Sequence, residues 1–262
     1  MSEKSLCLIS ACDISSRSNK KRVPDRTSRP FDSKQFTFSH GVCHDFDPMN
    51  PLSYSIIPLQ QGTAEWLAWR SGGIGASDAP TIMGENPWKS PEQLLKEKCE
   101  KRSERPNAAM ARGTELEPEA RKSYESRSGV CVVPACLQSS KHGWLRASVD
   151  GLGLDGKSVV EIKCGESVYR KSSTTREVPE YYVGQLQHIL AITDLPSIDF
   201  WCYLPGRPEV HLRVTRNESY IKRLIDVEQL FWQEIVKQRE SLLPKTASAP
   251  RPAEQMSLSF EG

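Results

Sequence analysis

The chain has 262 residues, 35 of them Lys or Arg against 33 Asp or Glu, for a formal net charge of +2, and 37% are hydrophobic. That is enough for one large domain with a real core plus tails. So even a balance carries no bulk signal for a polyanionic partner, and any such role rests on local placement of charge. No run approaches the roughly 20 apolar residues of a membrane span, and the opening MSEKSLCLISACDISSRSNKK is too weakly apolar for a secretory signal, which implies a cytoplasmic protein.

In chain order, residues 1–50 are rich in Ser, Asp, Lys and Arg, with SRSNKKRVPDRTSR at the centre, and are expected to form a disordered extension. Met49 makes a sensible start for the folded part, so the first 48 residues are expected to come from an over-long gene prediction or to be a dispensable leader. A folded domain is expected over 51–240. It opens with a helix in GTAEWLAWR (62–70), with Thr63 as N-cap and Trp66, Leu67 and Trp69 as apolar bulk. A short helix over 77–83 and another over 90–101, with Ser90 as N-cap and Pro91 in the first helical position, come next. Residues 113–129 read as a helix ended by Gly129. Strands are expected in LRASVD, SVVEIK, IDFWCYL and EVHLRVT, with a helix over 181–193 between the second and third. The helix 219–240 is amphipathic through Ile221, Leu224, Ile225, Leu230 and Ile235. YRKSSTTREVPE (169–180) reads as a long loop whose Arg170, Lys171 and Arg176 could meet backbone phosphates. Residues 241–262 read as a flexible tail. The sum is a mixed α/β (α+β) domain with a small central sheet flanked by helices.

The eight cysteines form no CxxC pair, which points to reduced, half-buried thiols rather than disulfides or a zinc site. Cys164 stands beside an unusual strand, but no Cys/His pair accompanies it.

That strand is SVVEIK. Alternation puts Glu161 and Lys163 on one face and Val160 and Ile162 on the other. The turn signals of GLGLDGK make the preceding strand its neighbour, which brings Asp150 near Glu161. Two carboxylates converging beside an ammonium suit a hard divalent cation, Mg2+ or Mn2+, with the Ile162 carbonyl adding an oxygen and Lys163 orienting or helping to deprotonate an attacking water. An ion pair on a sheet face, with Asp150 capping a turn, fits this stretch equally well.

The D-x10-E-I-K arrangement resembles the PD-(D/E)xK nuclease superfamily, with its restriction-endonuclease-like core; Val149 stands where the pattern often has Pro. More closely, five blocks in order resemble the lambda exonuclease and YqaJ-type viral recombinase family: WLAWRSGGIGASD, GTELEPEAR, RASVDG, VVEIKC and YYVGQLQH, spread over residues 62–240. The resemblance implies a Mg2+-dependent 5′-to-3′ double-strand DNA exonuclease that leaves a 3′ single-stranded tail for recombination. It implies metal ligation by Asp150, Glu161 and Ile162, and water handling by Lys163 and Glu117, with Glu115 as the alternative helix acid. It also implies a 5′-phosphate pocket of Arg70, Ser77 and Ser148, with Gln185 near the scissile group. Gly72, Gly73 and Gly75 would let backbone come close to that phosphate. Gln187 and His188 are expected on the helix surface or partly buried, and Trp88 either stacks at a duplex end or staples a helix.

The resemblance further implies a homotrimer and a cooperating single-strand annealing protein. The terminal QMSLSF resembles sliding-clamp-binding peptides, with Gln255, Leu258 and Phe260 at the matching positions. Two competing functions share the same residues: a PD-(D/E)xK endonuclease, restriction-like or structure-specific, and a non-catalytic DNA-end-binding protein.

Overall fold

The computed structural model describes residues 52–100 and 108–242. The expected N-terminal extension and the clamp-type peptide at Gln255, Leu258 and Phe260 lie outside the described residues. In chain order the elements are β1 (Tyr54–Ile57), α1 (Ala64–Ser71), β2 (Ile74–Gly75), a 3-10 turn (Ala76–Asp78) running into α2 (Ala79–Ile82), α3 (Pro91–Cys99) and α4 (Ala108–Ser128). There follow β3 (Val132–Ser139), β4 (Leu145–Gly153), β5 (Val159–Lys163), α5 (Glu166–Thr175), α6 (Glu180–Thr193), β6 (Ser197–Cys202), β7 (Val210–Thr215) and α7 (Glu218–Leu242). No helix among the described residues is long and apolar enough to cross a membrane.

The expected helix starts carry their signals into the structure. Thr63 accepts a hydrogen bond from the Trp66 N–H, and Ser90 and Gln93 form a reciprocal capping box. Gly129 ends α4 at φ +74°, a conformation that costs glycine nothing. Three strands escape the sequence patterns, the shortest being the two-residue β2. β3 contains Pro134, which reads as a breaker, but the strand absorbs it at a register shift between Val133 and Ala135, where a missing ladder donor is tolerated. β1 is a four-residue edge strand paired only with β3.

The expected loop at 169–180 is corrected: most of it is helix α5. Val168, Tyr169 and Ser172 make a buried stripe, and the Ser173 and Thr175 hydroxyls bond back to the Arg170 and Lys171 carbonyls, so residues that usually compete with a helix are satisfied within it. Two further expectations are corrected. α1 buries no side chain, because Trp66 and Trp69 turn to a cavity and Leu67 is exposed. In α7, Leu230 is exposed, while the stripe through Ile221, Leu224 and Ile235 includes the wholly buried Glu228.

The sheet runs β1-β3-β4-β5-β6-β7, with β2 added beside β4. It is mixed: β5 pairs parallel with β6, and the β3–β4, β4–β5 and β6–β7 pairs are antiparallel. Alternation along β5 divides the core. Val159 joins the larger apolar cluster with Leu186, Ile189 and Leu190 of α6, whereas Val160 and Ile162 pack with Ala120 and Tyr124 of α4 on the opposite face. Helices therefore cover both faces of the sheet.

Candidate active site

The site begins as a gap in the sheet. One edge of β4 pairs along its length with β3. On the other edge its first two residues, Leu145 and Arg146, pair parallel with β2, and Gly151 and Leu152 pair antiparallel with β5. Residues 147–150 have no strand partner on that edge. The space becomes a cavity of about 180 Å³, lined by Arg70, Ser77, Ser148, Asp150, Glu161 and Gln185 among others, with room for several water-sized groups.

Asp150 stands in for the missing strand: its Oδ2 accepts the Ile162 N–H at 2.7 Å. Since the N–H and C=O of a strand residue leave on the same edge, the Ile162 carbonyl faces the gap as well. Glu161 is 2% exposed; its Oε1 accepts from Lys163 Nζ and Gln185 Nε2, both at 2.5 Å, and its Oε2 is buried with no hydrogen-bond partner. Lys163 Nζ also lies 4.8 Å from the centre of the Tyr182 ring. Glu117 reaches the cluster from α4, ion-paired to Arg121, whose Nε donates to the Asp150 carbonyl at 2.8 Å. Glu115 stays exposed, so the geometry brings Glu117 and not Glu115 to the cluster.

The electrostatics are those of crowded like charges. Burial, then Glu161, pushes the Asp150 pKa well up, and burial likewise raises Glu117 against the pull of Arg121. Burial opposes the Lys163 charge, but Glu161, Tyr182 and Asp150 outweigh it and raise its pKa, so Lys163 is an ammonium donor. A divalent cation fits this donor set. Two hard carboxylates and a main-chain carbonyl converge, and the orphaned Glu161 Oε2 lacks the partner that a buried oxygen needs. Among the described residues no three His, Cys, Asp or Glu side chains make a metal cage by themselves; the Ile162 carbonyl is the further oxygen that this donor set offers.

Opposite the carboxylates stands a polar wall. Arg70 Nη2 donates to Ser77 Oγ at 2.5 Å and its guanidinium lies 5.1 Å from the Trp66 ring centre, while Trp66 Nε1 donates to Ser148 Oγ at 2.8 Å. Arg70, Ser77 and Ser148, drawn from α1, the 3-10 turn and β4, thus share one wall. Behind them Asp78 holds the turn: it accepts the Gly75 N–H at 2.8 Å and Lys98 Nζ at 2.5 Å, and Lys98 also donates to the Gly73 carbonyl at 3.0 Å. Burial would raise the Asp78 pKa, but Lys98 and Arg70 override it and hold it low. Sequence reading passed over Asp78, although its place three residues after Gly75, at the start of a helical turn, is a capping signal. Arg146 was passed over too, because alternation alone does not say which surface a strand residue meets.

Other expected residues fall elsewhere. Gln187 and His188 are 3% and 0% exposed, which corrects the surface reading. His188 Nδ1 lies 2.7 Å from Glu228 Oε1 and its Nε2 lies 3.0 Å from the Arg146 carbonyl. Trp88 is no staple: it is 72% exposed, with its ring edge-on to Tyr181 at 4.7 Å. Burial pushes the Cys164 thiol up to about 12, which makes it inert. Gly72 and Gly73 make room for Arg146, since a Cβ on either would collide with its side chain.

A hairpin bearing Asp150 and Glu161-x-Lys163, backed by a helix acid and set in a mixed sheet between helices, defines the PD-(D/E)xK nuclease fold. Residues 65–196, about half of the chain, match the YqaJ-like viral recombinase domain, and the chain belongs to that family. It is 32% identical over 178 residues to the uncharacterized protein YqaJ of Bacillus subtilis (strain 168), a match that covers 66% of this chain and 56% of that one, so the chain spans little more than half of its relative's length. Among solved structures it is similar to an alkaline exonuclease, LHK-Exo, from Laribacter hongkongensis, alone and in complex with dAMP. In each case the TM-score is 0.62 with 29% identity, over 69% of this chain and 96% of the other.

Proposed function

We propose that this protein is a Mg2+-dependent 5′-to-3′ exonuclease that resects one strand of a DNA duplex from a phosphorylated end, leaving a 3′ single-stranded tail for recombination by strand annealing. Family membership and the likeness to an alkaline exonuclease support a DNA exonuclease. The observation that carries the finer reading is the sharing of one cavity by Asp150, Glu161 and Gln185 and by Arg70, Ser77 and Ser148. A phosphate held by the second group lies within reach of the first, so cleavage starts at the end of a strand.

An ion bound by Asp150, Glu161 and the Ile162 carbonyl, Mg2+ or Mn2+, would neutralise charge on the scissile phosphate and acidify water there. The chain does the rest. Gln185 and Lys163 together pin Glu161 Oε1, which leaves the buried Oε2 without a protein partner. Lys163 donates to oxygens that gain charge in the transition state, and Glu117 accepts from the attacking water to aim it in line. Arg70 forms the fork that suits a terminal phosphate, with the two serine hydroxyls as further donors. Assembly as a homotrimer and cooperation with a single-strand annealing protein belong to the same proposal, on the strength of the family.

The test uses linear duplex labelled at either end, with 5′-phosphate or 5′-hydroxyl, in Mg2+ or EDTA. Mononucleotides released from 5′-phosphorylated ends in Mg2+ alone are expected. Cutting of covalently closed circles would replace the exonuclease reading with an endonuclease, and no loss of DNA under any condition would leave an end-binding protein.

A further inference from the structure

The cavity wall holds a second guanidinium. Arg146, at the start of β4, lies 5.2 Å from the Trp69 ring centre, as Arg70 lies over Trp66, and both line the cavity. Its Nη1 donates to the Trp69 carbonyl and its Nε to the Gly143 carbonyl at 3.4 Å. A guanidinium has five N–H groups, so about three remain. The fit is tight: a Cβ on Gly72 would come 2.9 Å from Nη1, and one on Gly73 would come 2.8 Å from Cδ. Two successive glycines thus keep Arg146 in the wall.

The charge it brings is not neutralised. Among the described residues no carboxylate pairs with Arg146, and its protein partners are neutral carbonyls. Arg70, by contrast, feels the buried Asp78. Burying a cation without a counter-charge is costly, and burial presses the Arg146 pKa down. An arginine kept half-buried beside a cavity, with donors to spare and no acid, fits an anion that arrives with the substrate.

We propose that Arg146 is the residue that lets the cavity count charge, binding a terminal phosphomonoester in preference to a phosphodiester. A monoester carries about −1.5 to −2 near neutral pH, against about −1 for each phosphate within a strand. Arg70 with the serines satisfies one charge, and Arg146 rewards the second, so a 5′ end is preferred over any internal phosphate. Arg146 is a specificity-determining residue that touches the terminal phosphate and takes no part in bond cleavage. This inference rests on the end-recognition reading above and assigns its selectivity to a particular side chain.

The test is binding without chemistry. Fluorescence anisotropy in EDTA compares duplexes ending in a 5′-phosphate, a 5′-methyl phosphodiester or a 5′-hydroxyl, for wild type, Arg146→Gln and Arg146→Lys. Wild type is expected to prefer the monoester over the methyl diester by roughly tenfold or more, the scale of a charged hydrogen bond. Arg146→Gln is expected to lose that preference while keeping its affinity for the hydroxyl end, and Arg146→Lys to restore part of it. An Arg146→Gln variant that retains the full preference, or that weakens on all three ends alike, overturns the inference and leaves the end-recognition reading standing. A wild type indifferent to the 5′ group defeats that reading, and the inference with it.

Discussion

Glu161 and Lys163 are two residues apart on a strand that is otherwise core, and the structure gives each a defined set of neighbours. Glu161 has one oxygen tied down and one left bare, while Lys163 is held as an ammonium between that carboxylate and the Tyr182 ring. Replacing Lys163 with Ala removes the donor but leaves Val160 and Ile162 packed. Cleavage is therefore expected to fall by roughly 10²–10⁴-fold while urea unfolding stays a single cooperative transition; equal activity in a gel assay would refute the role. Glu117→Gln is expected to lower the rate by at least about tenfold, and Glu115→Gln, at an exposed position, to stay within about twofold, as single-turnover kinetics would read. At this scale the sequence was informative. Period-two alternation placed Asp150, Glu161 and Lys163 together, because a hairpin joins them within a few residues. It said nothing of Arg146 or Asp78, whose meaning depends on which distant backbone they face.

At the scale of elements, two positions show how backbone geometry constrains the site. Gly73 lies against the Trp144 carbonyl and the Arg146 side chain, so Gly73→Ala forces β2 away from β4. Overpacking of this kind costs roughly 1–3 kcal/mol, and equilibrium unfolding in urea should show a loss in that range, with end binding weakened as well. Arg176 ends α5 at φ +57°, where a side chain strains the backbone. Arg176→Gly is expected to raise stability, by about 1 kcal/mol at most once the greater freedom of glycine when unfolded is set against the relief; a fall in thermal midpoint would contradict this. The same helix explains why the sequence read it as loop. Its Ser and Thr run signals turns when judged residue by residue, and only the stripe of Val168, Tyr169 and Ser172 against the sheet reveals the helix.

At the scale of the molecule, the buried His188–Glu228 pair ties α6 to α7 and reaches the Arg146 carbonyl on β4. A carbonyl can only accept, so His188 Nε2 carries a proton, and a further proton is shared between Nδ1 and Glu228. Burial disfavours the charged imidazole, yet Glu228 outweighs it and raises the His188 pKa. The sign follows: a raised folded pKa contributes stability that is fully present below the unfolded value of about 6.5 and is lost as pH rises through the folded value. Urea unfolding should show stability falling above about pH 6.5 by up to roughly 1.4 kcal/mol per pH unit, and Glu228→Gln should flatten that slope. A wild-type profile level from pH 6.5 to 9 would remove the shared proton.

The gap in β4 has a consequence for the order of folding. Its carboxylate side is built largely from a local hairpin, but Trp66 reaches Ser148 across 82 positions of sequence and Gln185 meets Glu161 across 24. Such long loops close late, because their entropy is lost before their contacts are gained. A chain still emerging from the ribosome carries Asp150 and Glu161 without the helix that pins them. The proposed nuclease activity should therefore return on refolding only once these long-range contacts have closed.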